Sequence, residues 1–87
     1  ESKTIMQKGN WRIDIENTNP GERPASLHLQ LTGDSNKYFF NPTNNYFYTR
    51  DAGTGMFIPI SASKNRNFLN NSEMLSAIKK ALHYLGE

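Results

Sequence analysis

Trp11-Arg12-Ile13-Asp14-Ile15-Glu16 is followed, after a nine-residue connection, by Ser26-Leu27-His28-Leu29-Gln30-Leu31-Thr32, and these two stretches decide the fold. In each, apolar and polar residues alternate strictly. Trp11, Ile13 and Ile15 fall on one side of an extended chain, and Arg12, Asp14 and Glu16 on the other. Leu27, Leu29 and Leu31 likewise oppose His28, Gln30 and Thr32. Side chains of a strand alternate between faces, so this period marks half-buried β-structure. If the two strands pair, their apolar faces merge into one surface and their polar faces into another.

Outward from this pair the same punctuation recurs. The connection NTNPGERP, residues 17–24, is dense in turn formers. GDSN (33–36), NPTNN (41–45) and RDAGTG (50–55) separate the short runs KYFF, YFYT and MFIPI, which reads as a meander of hairpins. Pro59 cannot donate to a ladder, so the last run belongs at an edge or near a strand end. Residues 1–10 are weakly patterned and are expected to be poorly ordered. SASKNRNF (61–68) reads as an exposed basic connection carrying Lys64.

The C-terminal segment changes period. Met74, Leu75, Ile78, Leu82 and Leu85 recur at helical spacing, which predicts an amphipathic helix over 72–85. Asn70 or Asn71 can cap it, and Glu73 stands three residues after Asn70, as in a capping box. Lys79 and Lys80 suit the later turns, and Gly86 is a natural stop. The expected architecture is α+β: an antiparallel sheet of about four to five short strands, closed by one C-terminal helix that buries its stripe on the leucine face.

Composition bounds the rest. A chain of 87 residues supports one domain with one modest core. With 36% hydrophobic and 21% charged residues it is too apolar for a disordered tail and too polar for a membrane protein. No run approaches the roughly 18 apolar residues that cross a bilayer. No signal-peptide core is visible, and the chain begins at Glu1 without methionine, as a fragment of a longer protein would. The absence of cysteine removes disulfides, thiolate nucleophiles and cysteine-based zinc sites. A net charge of +2 and a pI near 9.1 are compatible with nucleic acid without arguing for it.

The merged polar face would carry Arg12, Asp14 and Glu16 beside His28 and Gln30, with Asn17, Asn19 and Arg23 in the adjoining loop. Cleavage of RNA without a metal needs such a set: a base for the ribose 2′-OH, an acid for the leaving 5′-oxygen, and cations on the phosphoryl oxygens. His28 suits a proton transfer and arginine suits phosphate. Alternation places His28 on the exposed face, Glu16 ends the neighbouring strand, and prolines stiffen the loop that holds Arg23. His28, Arg23 and Glu16 are therefore the expected catalytic group. Arg12, Asn17, Gln30, Lys37, Tyr46, Arg50 and Lys64 are the expected substrate contacts. A lone strand histidine is as often a solvated surface residue. Tyr38, Phe39, Phe40, Tyr46, Phe47 and Tyr48 can stack bases or fill a core, and a small domain's need for bulk favours the core. His83 lacks helical ligand partners, so neither a metal nor another cofactor is expected. No phosphate-cradling loop or serine elbow is present.

The stretch W-R-I-D-I-E-N-x-N-P-G-x-R-P, the L-H-L-Q after it and the ending K-K-A-L-x-Y-L-G resemble C-terminal toxin domains of bacterial polymorphic toxins, including contact-dependent growth inhibition effectors. The resemblance covers residues 11–48 and 69–87. Its most specific part is Glu16, Asn17, Asn19, Pro20, Gly21, Arg23, Pro24 and His28. The element order is also similar to the barnase, EndoU, colicin and RelE ribonuclease superfold, although those domains usually place helices before the sheet. The resemblance implies a secreted or surface-delivered domain; the chain is expected to be monomeric when free and, from its composition, without membrane spans. It would cleave RNA, tRNA first, in a target-cell cytoplasm. A cognate immunity protein would neutralise it, and a host translation factor can assist such toxins. A non-catalytic RNA- or single-strand-binding module, or a protein-interaction domain, is the alternative.

Overall fold

A computed structural model describes residues 2–16 and 26–86. Six strands form one antiparallel sheet in chain order: β1 (Ser2–Lys8), β2 (Trp11–Glu16), β3 (Ser26–Leu31), β4 (Lys37–Asn41), β5 (Tyr46–Arg50) and β6 (Phe57–Pro59). Two helices follow, α1 (Ala62–Asn70) and α2 (Ser72–Tyr84). The fold is α+β, as the alternation and the helical stripe require.

The alternation reads through directly. Trp11, Ile13, Ile15, Leu27 and Leu29 are buried with Tyr38, Phe40 and Phe47 on one face. Phe68 of α1 and Met74, Ala77, Ile78 and Ala81 of α2 close that face. α2 lies on β1, β2 and β3. α1 covers the other half through Phe68, whose ring stands 5.4 Å from Tyr38 and 5.3 Å from Phe47 in edge-on contacts. Each fully buried aliphatic or aromatic side chain contributes about 1.5–3 kcal/mol, so these residues dominate stability.

Three expectations are corrected. Residues 1–10 are not a loose leader, because Ser2–Lys8 is a strand hydrogen-bonded to β2. Its pattern is obscured by a register shift between Thr4 and Met6, and no residue of it is fully buried. With β1 the sheet has six strands rather than about four to five. The 61–68 stretch is not a connection either: it is most of α1, capped by Ser61, whose hydroxyl accepts from the Lys64 amide at 3.2 Å. Only Phe68 and Asn65 of α1 are buried, so no apolar stripe announced it.

Asn65 is what fixes α1. Its Oδ1 accepts from the Phe47 amide at 2.8 Å, and its Nδ2 donates to the Asn45 carbonyl at 3.3 Å. A buried amide thus ties the helix to the start of β5, where the chain turns through Asn45 at φ 55°. Tyr38 adds a second tie. Its buried ring sends the hydroxyl to the periphery, where it donates to Asp34 and accepts from Lys64 Nζ at 2.9 Å. That partnership holds the Asp34 carboxyl below the usual range, with the Asn36 amide assisting.

α2 begins one residue later than a capping box from Asn70 would require. Asn71 is the cap, its Oδ1 accepting from the amides of Glu73 and Met74 at 3.1 Å each. Glu73 therefore sits in the first turn beside the positive end of the helix rather than reaching back to the cap. The helix stops at Tyr84, and Gly86 at φ 85° turns the chain out of it. Among the described residues no helix is long and apolar enough to cross a membrane.

Candidate active site on the helix-free sheet face

The register brings the polar positions of β2, β3 and β4 together. Asp14 stands opposite His28, Arg12 opposite Gln30 and Glu16 opposite Ser26. On the far side of β3, His28 faces Phe39 and Gln30 faces Lys37. Both helices pack on the other face, so among the described residues this one is covered by neither.

The charges alternate across it. Arg12 Nε donates to Asp14 Oδ2 at 2.9 Å, and Arg12 Nη2 to Gln30 Oε1 at 2.7 Å. Asp14 Oδ2 lies 3.6 Å from His28 Nε2. On the other edge of the imidazole, Nδ1 lies 3.5 Å from Glu16 Oε1, which accepts from Lys37 Nζ at 3.0 Å. The order guanidinium, carboxylate, imidazole, carboxylate, ammonium thus runs through five side chains of three strands.

His28 is not exposed, contrary to expectation. Its side chain is 2% accessible, and Asp14 is also buried. Alternation fixes the face a residue occupies but not its depth. Here two carboxylates flank the ring, and Phe39 leans against it at 5.7 Å. Burial pushes the His28 pKa below its ordinary 6.5. The nearby Glu16 carboxylate opposes that shift, Lys37 reinforces it, and Asp14 and a Gln30 hydrogen bond oppose it more weakly. The imidazole is therefore neutral at pH 7. Asp14 Oδ1 and His28 Nδ1 are buried and make no hydrogen bond among the described residues. Such atoms are costly in a fold, and active sites are a common reason for keeping them.

Glu16, Arg12, Gln30, Lys37 and His28 are thus assembled into one cluster. Arg23 and Asn17, with Asn19, Pro20, Gly21 and Pro24, lie outside the described residues. Tyr46 and Arg50 share the helix-free face but stand two strands away. The Tyr46 hydroxyl donates to the Ile60 carbonyl at 2.7 Å, and Arg50 Nε donates to the Gly55 carbonyl at 3.0 Å. Lys64 belongs elsewhere: it is on α1, over the Tyr38 ring, on the helical side of the sheet. Asp14 was legible as a face residue but not as the buried partner of His28. Phe39, Tyr48 and Phe57 are further residues of this face, and parity from Lys37 onward was the signal for the first. Among the described residues no group of three or more acidic, histidine or cysteine side chains converges as a metal site would require.

Comparison of the chain with protein families, curated proteins and solved structures finds no match. The class that fold and cluster define is therefore stated from geometry: a six-stranded antiparallel meander, helix-backed, with a carboxylate–imidazole–carboxylate cluster on its other face.

Proposed function

We propose that this chain is a metal-independent endoribonuclease domain centred on Glu16, His28 and Lys37. The observation that carries the reading is the contact of one carboxylate, Glu16, with both the imidazole at 3.5 Å and the Lys37 ammonium at 3.0 Å. Accessibility assigns the roles. Glu16 is 29% exposed at its side chain and Lys37 47%, whereas His28 is sealed. Glu16 takes the proton of a ribose 2′-OH. The 2′-oxygen bonds to the adjacent phosphorus as the bond to the 5′-oxygen breaks, the 5′-oxygen takes up a proton from solvent water as it leaves, and the proton held by Glu16 returns to solvent. The products are a 2′,3′-cyclic phosphate and a 5′-hydroxyl. Lys37 and Arg12 stabilise the charge that builds on the phosphoryl oxygens. His28, buried 3.5 Å behind the Glu16 carboxylate, acts through that carboxylate rather than on the substrate.

The biological setting is taken from the motif resemblance. There the chain is the toxic portion of a larger bacterial protein delivered into a neighbouring cell, tRNA is its substrate, and an immunity protein guards the producer. Expression from a tight inducible promoter tests the activity. Growth arrest with discrete RNA fragments is the expected outcome, and normal growth with intact RNA would sink it. The burial of His28 favours one second reading, a module that binds RNA without cutting it. That reading predicts retarded but intact RNA, with no change on replacing Glu16.

A further inference from the structure

The half of the helix-free face formed by β4, β5 and β6 is built differently from the charged half. Parity places Phe39, Tyr48 and Phe57 there, with Tyr46 and Arg50. Their rings form two contacting pairs, set side by side where Phe39 stands opposite Tyr48 in the register. Phe39 meets Phe57 at 5.4 Å, Tyr46 meets Tyr48 at 5.7 Å, and Phe39 reaches His28 at 5.7 Å. The strip is continuous with the candidate active site and ends at the edge strand, where Phe57 is 53% exposed. Arg50 lies 5.3 Å over the Phe57 ring, a guanidinium plane beside an aromatic one. The three strands contain no aspartate or glutamate, while Lys37 and Arg50 stand on this face. Among the described strands, the carboxylates of this face are confined to β2, as Asp14 and Glu16.

We infer that this strip is a track for unpaired bases, so that the RNA presented to the Glu16–His28 cluster is single-stranded. The inference rests on the cleavage reading above and deepens it. An aromatic ring stacks on the face of a base, and that face is free only where the strand is not paired. In an A-form duplex the bases cover one another, and only groove edges, phosphates and 2′-hydroxyls are offered. Rings spread over three adjacent strands fit the first chemistry and not the second. The absence of acids from β4, β5 and β6 lowers repulsion of the phosphates, and Arg50 supplies a cation at the edge where the strand would leave.

The test separates binding from cleavage by using a 2′-O-methyl oligoribonucleotide of mixed sequence, which cannot be cut by 2′-OH attack. Anisotropy of the labelled single strand is compared with that of the same strand annealed to its complement, at one fixed salt concentration. The single strand is expected to bind at least about tenfold more tightly than the duplex. Phe57→Ala and Tyr48→Ala should each weaken single-strand binding by roughly five- to a hundredfold, the range for losing one base–aromatic stack. Phe57→Tyr and Tyr48→Phe should keep it. Phe57 is exposed, so its variant decides the matter even where Tyr48→Ala unfolds, as a melting curve would show. Equal affinity for duplex, no binding, or an unchanged Phe57→Ala would overturn the inference. So would light scattering that shows the strip covered by a second copy, released by Phe57→Ala without effect on RNA. Binding with the expected pattern but no cutting of unmodified RNA would leave the track standing and sink the nuclease reading instead.

Discussion

On the helix-covered face of the sheet, Ile13, Ile15, Leu29 and Phe47 share one apolar cluster with Phe68, Met74 and Ile78, and among the described residues the one buried polar side chain beside it is the neutral Asn65. On the opposite face the same strands bury Asp14 and His28. The first face holds together because apolar surface leaves water, whatever the detailed partners. The second depends on partners: Asp14 is held by Arg12, and His28 is held neutral because charging it there would cost desolvation. The comparison teaches that one alternation can specify two interiors, one forgiving and one dependent on charge.

The largest effect is expected where the forgiving interior is broken. Ile78→Asp places an unpaired charge in the buried apolar layer between α2 and the sheet, and should cost about 4 kcal/mol or more in a urea melt. A variant that melts with the parent would show that α2 does not seal this face. Asn65→Ala should cost about 1–3 kcal/mol, because the buried Phe47 amide loses its acceptor. A Phe47 amide that still resists hydrogen exchange in that variant would show a substitute acceptor.

The charged interior has its own signature in pH. The folded state depresses the His28 pKa below 6.5, so the unfolded chain binds the proton more readily. Stability is then complete above pH 6.5 and falls as the pH drops below it, at up to about 1.4 kcal/mol per pH unit. Asp34 and Asp51, also depressed, lose their contributions only near the ordinary carboxylate range. Replacing His28 with glutamine should abolish the slope just below pH 6.5, and a slope that persists would assign it to another group. The smallest effect is expected outside both interiors. Lys8 pairs with Glu73 at the surface, and Lys8→Ala should change stability by less than about 1 kcal/mol in the same melt.

How much of this was legible follows from the same contrast. Trp11–Glu16 and the run from Ser26 gave the buried face, the pairing and the encounter of His28 with Glu16, because period two is a strong signal wherever one face is dry. Met74 and Ile78 gave α2 for the equivalent reason at period 3.6. β1 was hidden because its alternation slips at the Thr4/Met6 shift and it buries little. α1 was hidden because its anchor is a buried asparagine, a residue whose usual reading is a turn. The depth of His28 was hidden because it depends on Asp14, Glu16 and Phe39 closing on one ring from three strands, a packing result that no single stretch encodes.

The central claim is that the Glu16–His28–Lys37 cluster cleaves RNA without a metal. Its most direct test is the rate of RNA cleavage in EDTA by the parent and by Glu16→Gln, which keeps the side chain's shape and removes its basicity. A positioned general base contributes roughly 10²- to 10⁴-fold. The account predicts fragments ending in 2′,3′-cyclic phosphate from the parent, and a rate lower by at least about 10²-fold for a Glu16→Gln protein that melts normally. Cleavage by Glu16→Gln at the parent rate, or by the parent only after magnesium is restored, would contradict it.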